Sequence, residues 1–80
     1  MSADERCVIL FASIHDVMAA EKVLKKQSFW HDVVPTPRQL SSDCGMAVLV
    51  REMDLAAILP DLRHRRGVYR ECGGKYMEVS

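Results

Sequence analysis

No stretch of this chain approaches the ~20 consecutive apolar residues that span a bilayer, so no membrane-spanning helix is expected. The early apolar run Cys7–Ala12 is too short for a secretory leader and lacks a basic flank and a cleavage site, so the chain reads as cytoplasmic. Charge of one sign is missing too. The 11 basic and 11 acidic side chains cancel, which argues against a dedicated nucleic-acid or membrane-surface protein. Cysteine is sparse: Cys7, Cys44 and Cys72 are an odd count at wide spacing, with no C-x-x-C and no Cys/His zinc spacing. A structural metal site is therefore not expected, and in a reducing compartment all three are thiols. There is no phosphate-binding or dinucleotide fingerprint, no internal repeat and no low-complexity segment, and no cofactor is expected.

What remains is an 80-residue chain, 49% apolar and 28% charged, a composition that folds as one small globular domain. The polar residues 1–6 read as a flexible N-terminus, 7–72 as the core and 73–80 as a turn with a short extension. Cys7–Ala12 is a short, wholly apolar run that suits a strand buried on both faces. Ser13-Ile14-His15-Asp16 matches a helix start in which the Ser13 hydroxyl accepts from the Asp16 amide. The helix that follows should run to about Gln27, with Val17, Ala20 and Leu24 as its inward stripe and Lys25 and Lys26 at its negative end. Val33-Val34, restricted by Pro35 and Pro37, is an edge strand, because proline donates no ladder hydrogen bond. Met46–Val50 is a third strand. Asp54 is the expected N-cap of a second helix carrying Leu55, Ile58, Leu59 and Leu62, with Pro60 set to kink or split it. Arg63–Arg66 closes that helix, Gly67 stops it, Val68–Cys72 is a fourth strand, Gly73-Gly74 a turn, and Tyr76–Val79 a short terminal strand.

This order predicts an α+β, ferredoxin-like βαββαβ fold, an antiparallel sheet in spatial order 4-1-3-2 with two helices on one face. The uncovered face should expose apolar side chains, and such a patch usually finds a partner. A homo-oligomer through that face or the edge strand is therefore expected.

The stretch Pro35–Gly45 is the focus of the chain. Right-handed crossovers bring the end of strand one, the start of helix one, the Cys44 loop and the basic end of helix two to one rim. A thiolate is the nucleophilic form of cysteine, and helix N-termini and nearby cations favour it. Arg38 is near Cys44 in sequence, and topology allows His15, Arg65 and Arg66 to approach. Asp43 acts in the opposite direction. Cys7 and Cys72 fall at the far rim, ~20 Å away along a six-residue strand, out of reach as resolving partners for Cys44.

Each candidate has a plainer reading. Cys44 is either a nucleophile or a small apolar residue entering a strand. His15 either exchanges a proton beside Cys44 or fills a first helical turn. Together with Cys44 it is also half of a metal site, too few ligands without a second copy. Arg38 either holds an anion or partner carboxylate or is solvated. Trp30, Tyr69 and Tyr76 read as core or interface. Ser41, Ser42 and Asp43 are neighbours in one loop and cannot line up as a catalytic triad.

The order Pro35-Thr-Pro-Arg-Gln-Leu-Ser-Ser-Asp-Cys-Gly45, with Ser13-x-His15-Asp16 and Ala20-Glu21 upstream, resembles the family known as Putative Se/S carrier protein-like. The matched loop positions are Pro35, Pro37, Arg38, Ser41, Ser42, Cys44 and Gly45, and the resemblance covers roughly residues 8–70. It implies a carrier that holds sulfur or selenium on Cys44 and exchanges it with donor and acceptor proteins, a transfer protein more than a self-sufficient enzyme. The alternative is a small interaction or regulatory module that binds a partner or ligand through its sheet face or edge.

Overall fold

The computed structural model describes residues 5–40, 45–62 and 65–79. Strand β1, Arg6–Phe11, leads into helix α1, Ile14–Lys26; β2, His31–Pro35, and β3, Met46–Arg51, follow. A short helix α2, Leu55–Ile58, lies between two 3-10 turns, and β4, Arg65–Cys72, and β5, Lys75–Glu78, complete the chain. All pairings are antiparallel, and the sheet order is β2-β3-β1-β4-β5. The fold is α+β with two helices, but the ferredoxin-like order βαββαβ is not matched, because β5 adds a fifth strand at the edge. The Gly73-Gly74 turn makes that extension possible. Both glycines have positive φ, 57° and 87°, the left-handed geometry that a tight hairpin requires and side chains resist.

Helix α1 begins as its sequence dictates. Ser13 is extended and its Oγ accepts from the Asp16 amide at 3.3 Å. The helix ends in a Schellman motif, with the Phe29 amide on the Leu24 carbonyl and the Ser28 amide on that of Lys25. The left-handed position falls to Ser28, φ 62°, where glycine is the usual occupant. The second helix departs from expectation. Asp54 makes no side-chain cap, and Pro60 lies in the 3-10 turn Leu59–Asp61, which ends the α-helix after four residues. Gly67 does not stop this helix; it lies buried inside β4. Arg65 closes the segment instead, its Nη1 donating to the Leu59 and Leu62 carbonyls at 3.0 Å each.

The sheet has two different faces. On the helix side, Cys7, Ile9, Val48, Val50 and Val68 pack with Val17, Ala20 and Leu24 of α1 and with Leu55, Ile58 and Leu62. The opposite face was expected to expose its apolar residues, and it does not. Val8, Leu10 and Ala47 are buried there, covered by Leu40, Tyr69 and Tyr76. The cover comes from the chain after β2: the Gln39 amide reaches the Gly74 carbonyl at 3.2 Å, on the far hairpin. Among the described residues, the large apolar side chains that remain exposed lie elsewhere, at Ile14, Met18, Met53, Met77 and Val79. At the end of the sheet where β1 begins, Arg6 and Arg51 are cross-strand partners. Both guanidiniums lie over the Trp30 ring, 4.9 and 5.7 Å from its centroid.

Candidate functional site

At the rim where β1 ends, the structure has a cavity of about 300 Å³. Its walls come from segments far apart in sequence. β1 contributes Leu10 and Phe11, and the start of α1 contributes Ser13 and Ile14. The connection between β2 and β3 contributes Thr36, Leu40, Gly45 and Met46, and β4 contributes Arg66 and Tyr69. The end of β1 and the start of α1 meet here as the topology predicts, with Leu40 and Gly45 from either side of the Cys44 segment; the fourth wall comes from β4, where the basic end of the second helix was expected.

The connection is held at both ends. The Thr36 amide donates to the Gly45 carbonyl at 3.0 Å, extending the β2–β3 ladder by one rung, and the Leu40 amide donates to the Pro37 carbonyl at 3.0 Å. The Leu40 side chain is seated on the second face of the sheet. Ser41, Ser42 and Cys44, the central candidates, lie outside the described residues, as do Asp43, Arg63 and His64. Leu40 and Gly45, the described residues on either side of Cys44, both line the cavity. A methyl built at Gly45 would rest 3.8 Å from Thr36 Oγ1, an ordinary contact.

His15 is exposed on the first turn of α1, one residue beyond the lining Ile14, and is not itself part of the wall. Arg38 is exposed in the turn before Leu40 and also lies outside the wall. Pro35 ends the edge strand β2, and Pro37 opens the turn that seats Leu40. Arg65 is occupied with the carbonyls of the second helical segment, which leaves Arg66 as the lining arginine.

The position of Arg66 comes from the strand pairing. Leu10 pairs with Gly67 but Phe11 pairs with Arg65, so Arg66 is the extra residue of a β-bulge in β4. A bulge breaks the in-out alternation and redirects a side chain, a device common beside functional sites. Gly67 has its own reason to be small: a Cβ there would approach Tyr69 Cε1 to 3.0 Å, and the Tyr69 ring forms part of the cavity wall. A glycine inside a strand pattern was the available sequence signal for this bulge, and reading Gly67 as a helix stop concealed it. Leu40 and Tyr69 carried no such signal, since their role depends on how the loop crosses the sheet.

The other two cysteines differ from each other. Cys7 is fully buried, and its thiol is pushed up to about 11, first by burial and then by the Glu52 carboxylate. It is an inert packing group. Cys72 is exposed and free. Cys7 pairs with Arg70 and Cys72 with Lys75, both at the end of the sheet away from the cavity.

The frame is a small α+β sheet, with the connection between β2 and β3 packed on one face through Leu40, beside a cavity at the strand ends. The chain belongs to the family described as Putative Se/S carrier protein-like, whose model matches residues 6–72. No curated protein and no solved structure matches the chain. Among the described residues, no helix is long and apolar enough to cross a membrane.

Proposed function

We propose that the protein carries sulfur or selenium on Cys44, as a persulfide or its selenium counterpart, and passes it between partner proteins at the cavity rim. The observation that supports this reading is that Leu40 and Gly45, the described residues on either side of Cys44 in the chain, both line the cavity. Family membership supports the same chemistry. In the loading step the Cys44 thiolate attacks the outer sulfur of a donor persulfide. The donor's S–S bond breaks, the donor leaves as a thiolate, and the transferred sulfur keeps its S–H, so no outside oxidant or reductant is consumed. Unloading to an acceptor thiol is the same exchange in reverse. We assign His15 and Arg38, exposed and close in sequence to the wall residues Ile14 and Leu40, to proton exchange and to contact with a partner's carboxylate.

The test is incubation with a cysteine desulfurase and cysteine, followed by intact-mass measurement. A gain of about 32 Da, one sulfur atom, is expected in the native chain and in Cys72→Ser, and is lost in Cys44→Ser. No adduct, or one that persists without Cys44, overturns the proposal and leaves an interaction module.

A further inference from the structure

We infer that the outward face of α1 is a docking surface for an acidic protein partner, one that sets an apolar side chain beside its carboxylates. That this partner delivers or receives the sulfur rests on the Cys44 reading. The surface itself does not.

The helix sorts its side chains by direction. Val17, Ala20 and Leu24 are buried against the sheet. Ile14 and Met18, one turn apart, are 51% and 52% exposed, and residues at that spacing are neighbours on a helix surface, so they form one apolar spot in solvent. Lys22, Lys25 and Lys26 continue the exposed side toward the end of the helix. The two acidic residues of α1 are half-buried at its flanks. Asp16 lines a small groove with Asp61 and Leu62, and Glu21 lies 3.7 Å from Lys25 and 3.9 Å from His31. In a chain whose 11 basic and 11 acidic side chains cancel, this is a local segregation of charge.

The order along the axis selects the partner. The apolar spot is at the helix start, and Ile14 also belongs to the cavity wall. Lys22 is about 12 Å and Lys26 about 18 Å further along, at about 1.5 Å per residue. A helix lying on a bilayer needs an apolar face along its length, and that face of α1 is already packed on the sheet. Single-stranded nucleic acid is held by aromatic stacking as well as by cations, and this helix has no aromatic ring and no arginine. What fits is a protein surface with an apolar contact at one end and carboxylates at the other. The first removes Ile14 and Met18 from water, and the second meets the lysines and steers the approach. Docked in this way, the partner's apolar end stands at the cavity rim.

The experiment titrates the full chain carrying Cys44→Ser with a soluble amphipathic peptide of leucine and glutamate, and separately with the same peptide carrying glutamine for glutamate. Amide resonances report binding. For the glutamate peptide, saturable shifts centred on Ile14–Lys26 are expected with a dissociation constant of about 0.1 mM at low salt, and about tenfold weaker binding for the glutamine peptide. In about 0.5 M salt that preference should vanish. Lys22→Gln with Lys26→Gln should bring the glutamate peptide down to the level of the glutamine one, and Met18→Gln should weaken both. Equal binding of the two peptides, no saturable shift, shifts centred outside α1, or tighter binding of phosphatidylglycerol vesicles or single-stranded RNA through α1 would each overturn the inference. The peptide comparison is made with α1 intact, so it decides the matter even where a substitution harms folding. For the partner's identity, loading of the Cys44 chain by the desulfurase should slow about tenfold in the double lysine variant, while loading by cysteine persulfide should not change; no slowing, or equal slowing with both donors, removes the sulfur donor as the occupant. The titration involves no reactive thiol at position 44. A failed mass-adduct test with a positive titration removes the carrier and keeps the surface, and the converse outcome removes the surface alone.

Discussion

Replacing Leu40 by alanine tests how the cysteine loop is held. Leu40 is largely buried against Val8, Leu10 and Ala47, and it is the described hydrophobic anchor of the loop on that face of the sheet. The change removes three carbon atoms, worth about 0.8 kcal/mol each when fully buried. With most of that burial present, the expected loss is about 1.5–2 kcal/mol, or roughly a twentyfold rise in the unfolding equilibrium constant. For a domain of this size the melting temperature should fall by about 6–16 °C. The Leu40–Pro37 backbone bond at 3.0 Å does not involve the side chain and should survive, so the turn stays formed while its attachment loosens. Urea unfolding gives the stability, and the pH dependence of iodoacetamide labelling of Cys44, measured in a Cys72→Ser background, gives the thiol's environment. The two should move together, with the labelling profile drifting toward that of a free thiol. Stability within about 0.3 kcal/mol of the parent would refute the anchor, because a surface leucine lost from solvent costs that little.

Four further outcomes follow from the geometry. Ser28→Gly should stabilise the protein by about 0.5–1 kcal/mol, since Ser28 occupies the left-handed position of the α1 terminus at φ 62°; an unchanged melting temperature contradicts this. Cys7 should resist alkylation in the native protein while Cys72 reacts; because the folded thiol ionises only near about 11, against an ordinary value of 9.0, the folded state keeps a proton that the unfolded chain loses. Stability should then be full below about pH 9 and fall as pH rises toward about 11, a limb that Cys7→Ala should flatten in urea titrations. Gly67→Ala should cost about 1 kcal/mol by forcing the Tyr69 ring away from a 3.0 Å approach, and an unshifted ring in the NMR spectrum would dispute that contact. For the expected homo-oligomer, the free edge of β5 with Met77 61% exposed is the surface we propose for a second copy. Met77→Lys should convert the complex to monomer on gel filtration, and a native chain already monomeric at micromolar concentration removes the oligomer.

Features that depend on a few consecutive residues were legible in the sequence. Ser13 caps α1, Pro35 lies in an edge strand, Gly73-Gly74 turns the last hairpin, and Pro60 ends the second helix, each through the conformational limits of one side chain or its absence. Features that depend on pairing between distant segments were not. The bulge at Arg66 arises from register between β1 and β4, and its one local signal, Gly67, suits a helix terminus as well as an interrupted strand. The covered second face needed Leu40, Tyr69 and Tyr76 from separate parts of the chain. Ser28 adopts a glycine-like conformation because two backbone bonds and the packing of Phe29 against the core hold it there, which overrides its own preference. That the end of β1 and the start of α1 share a rim was legible from topology; which arginine lines the cavity there was not.

Trp30 is the only tryptophan in the chain, and it is stacked under Arg6 and Arg51 where β1 starts, roughly 17 Å of strand away from the cavity. Its emission therefore monitors the integrity of the far margin and is silent to whatever occupies the cavity, so a fluorescence change on adding a small molecule would mean rearrangement of the whole sheet, not occupancy. Nature has given this domain an optical probe for unfolding that any ligand titration can use as its own control.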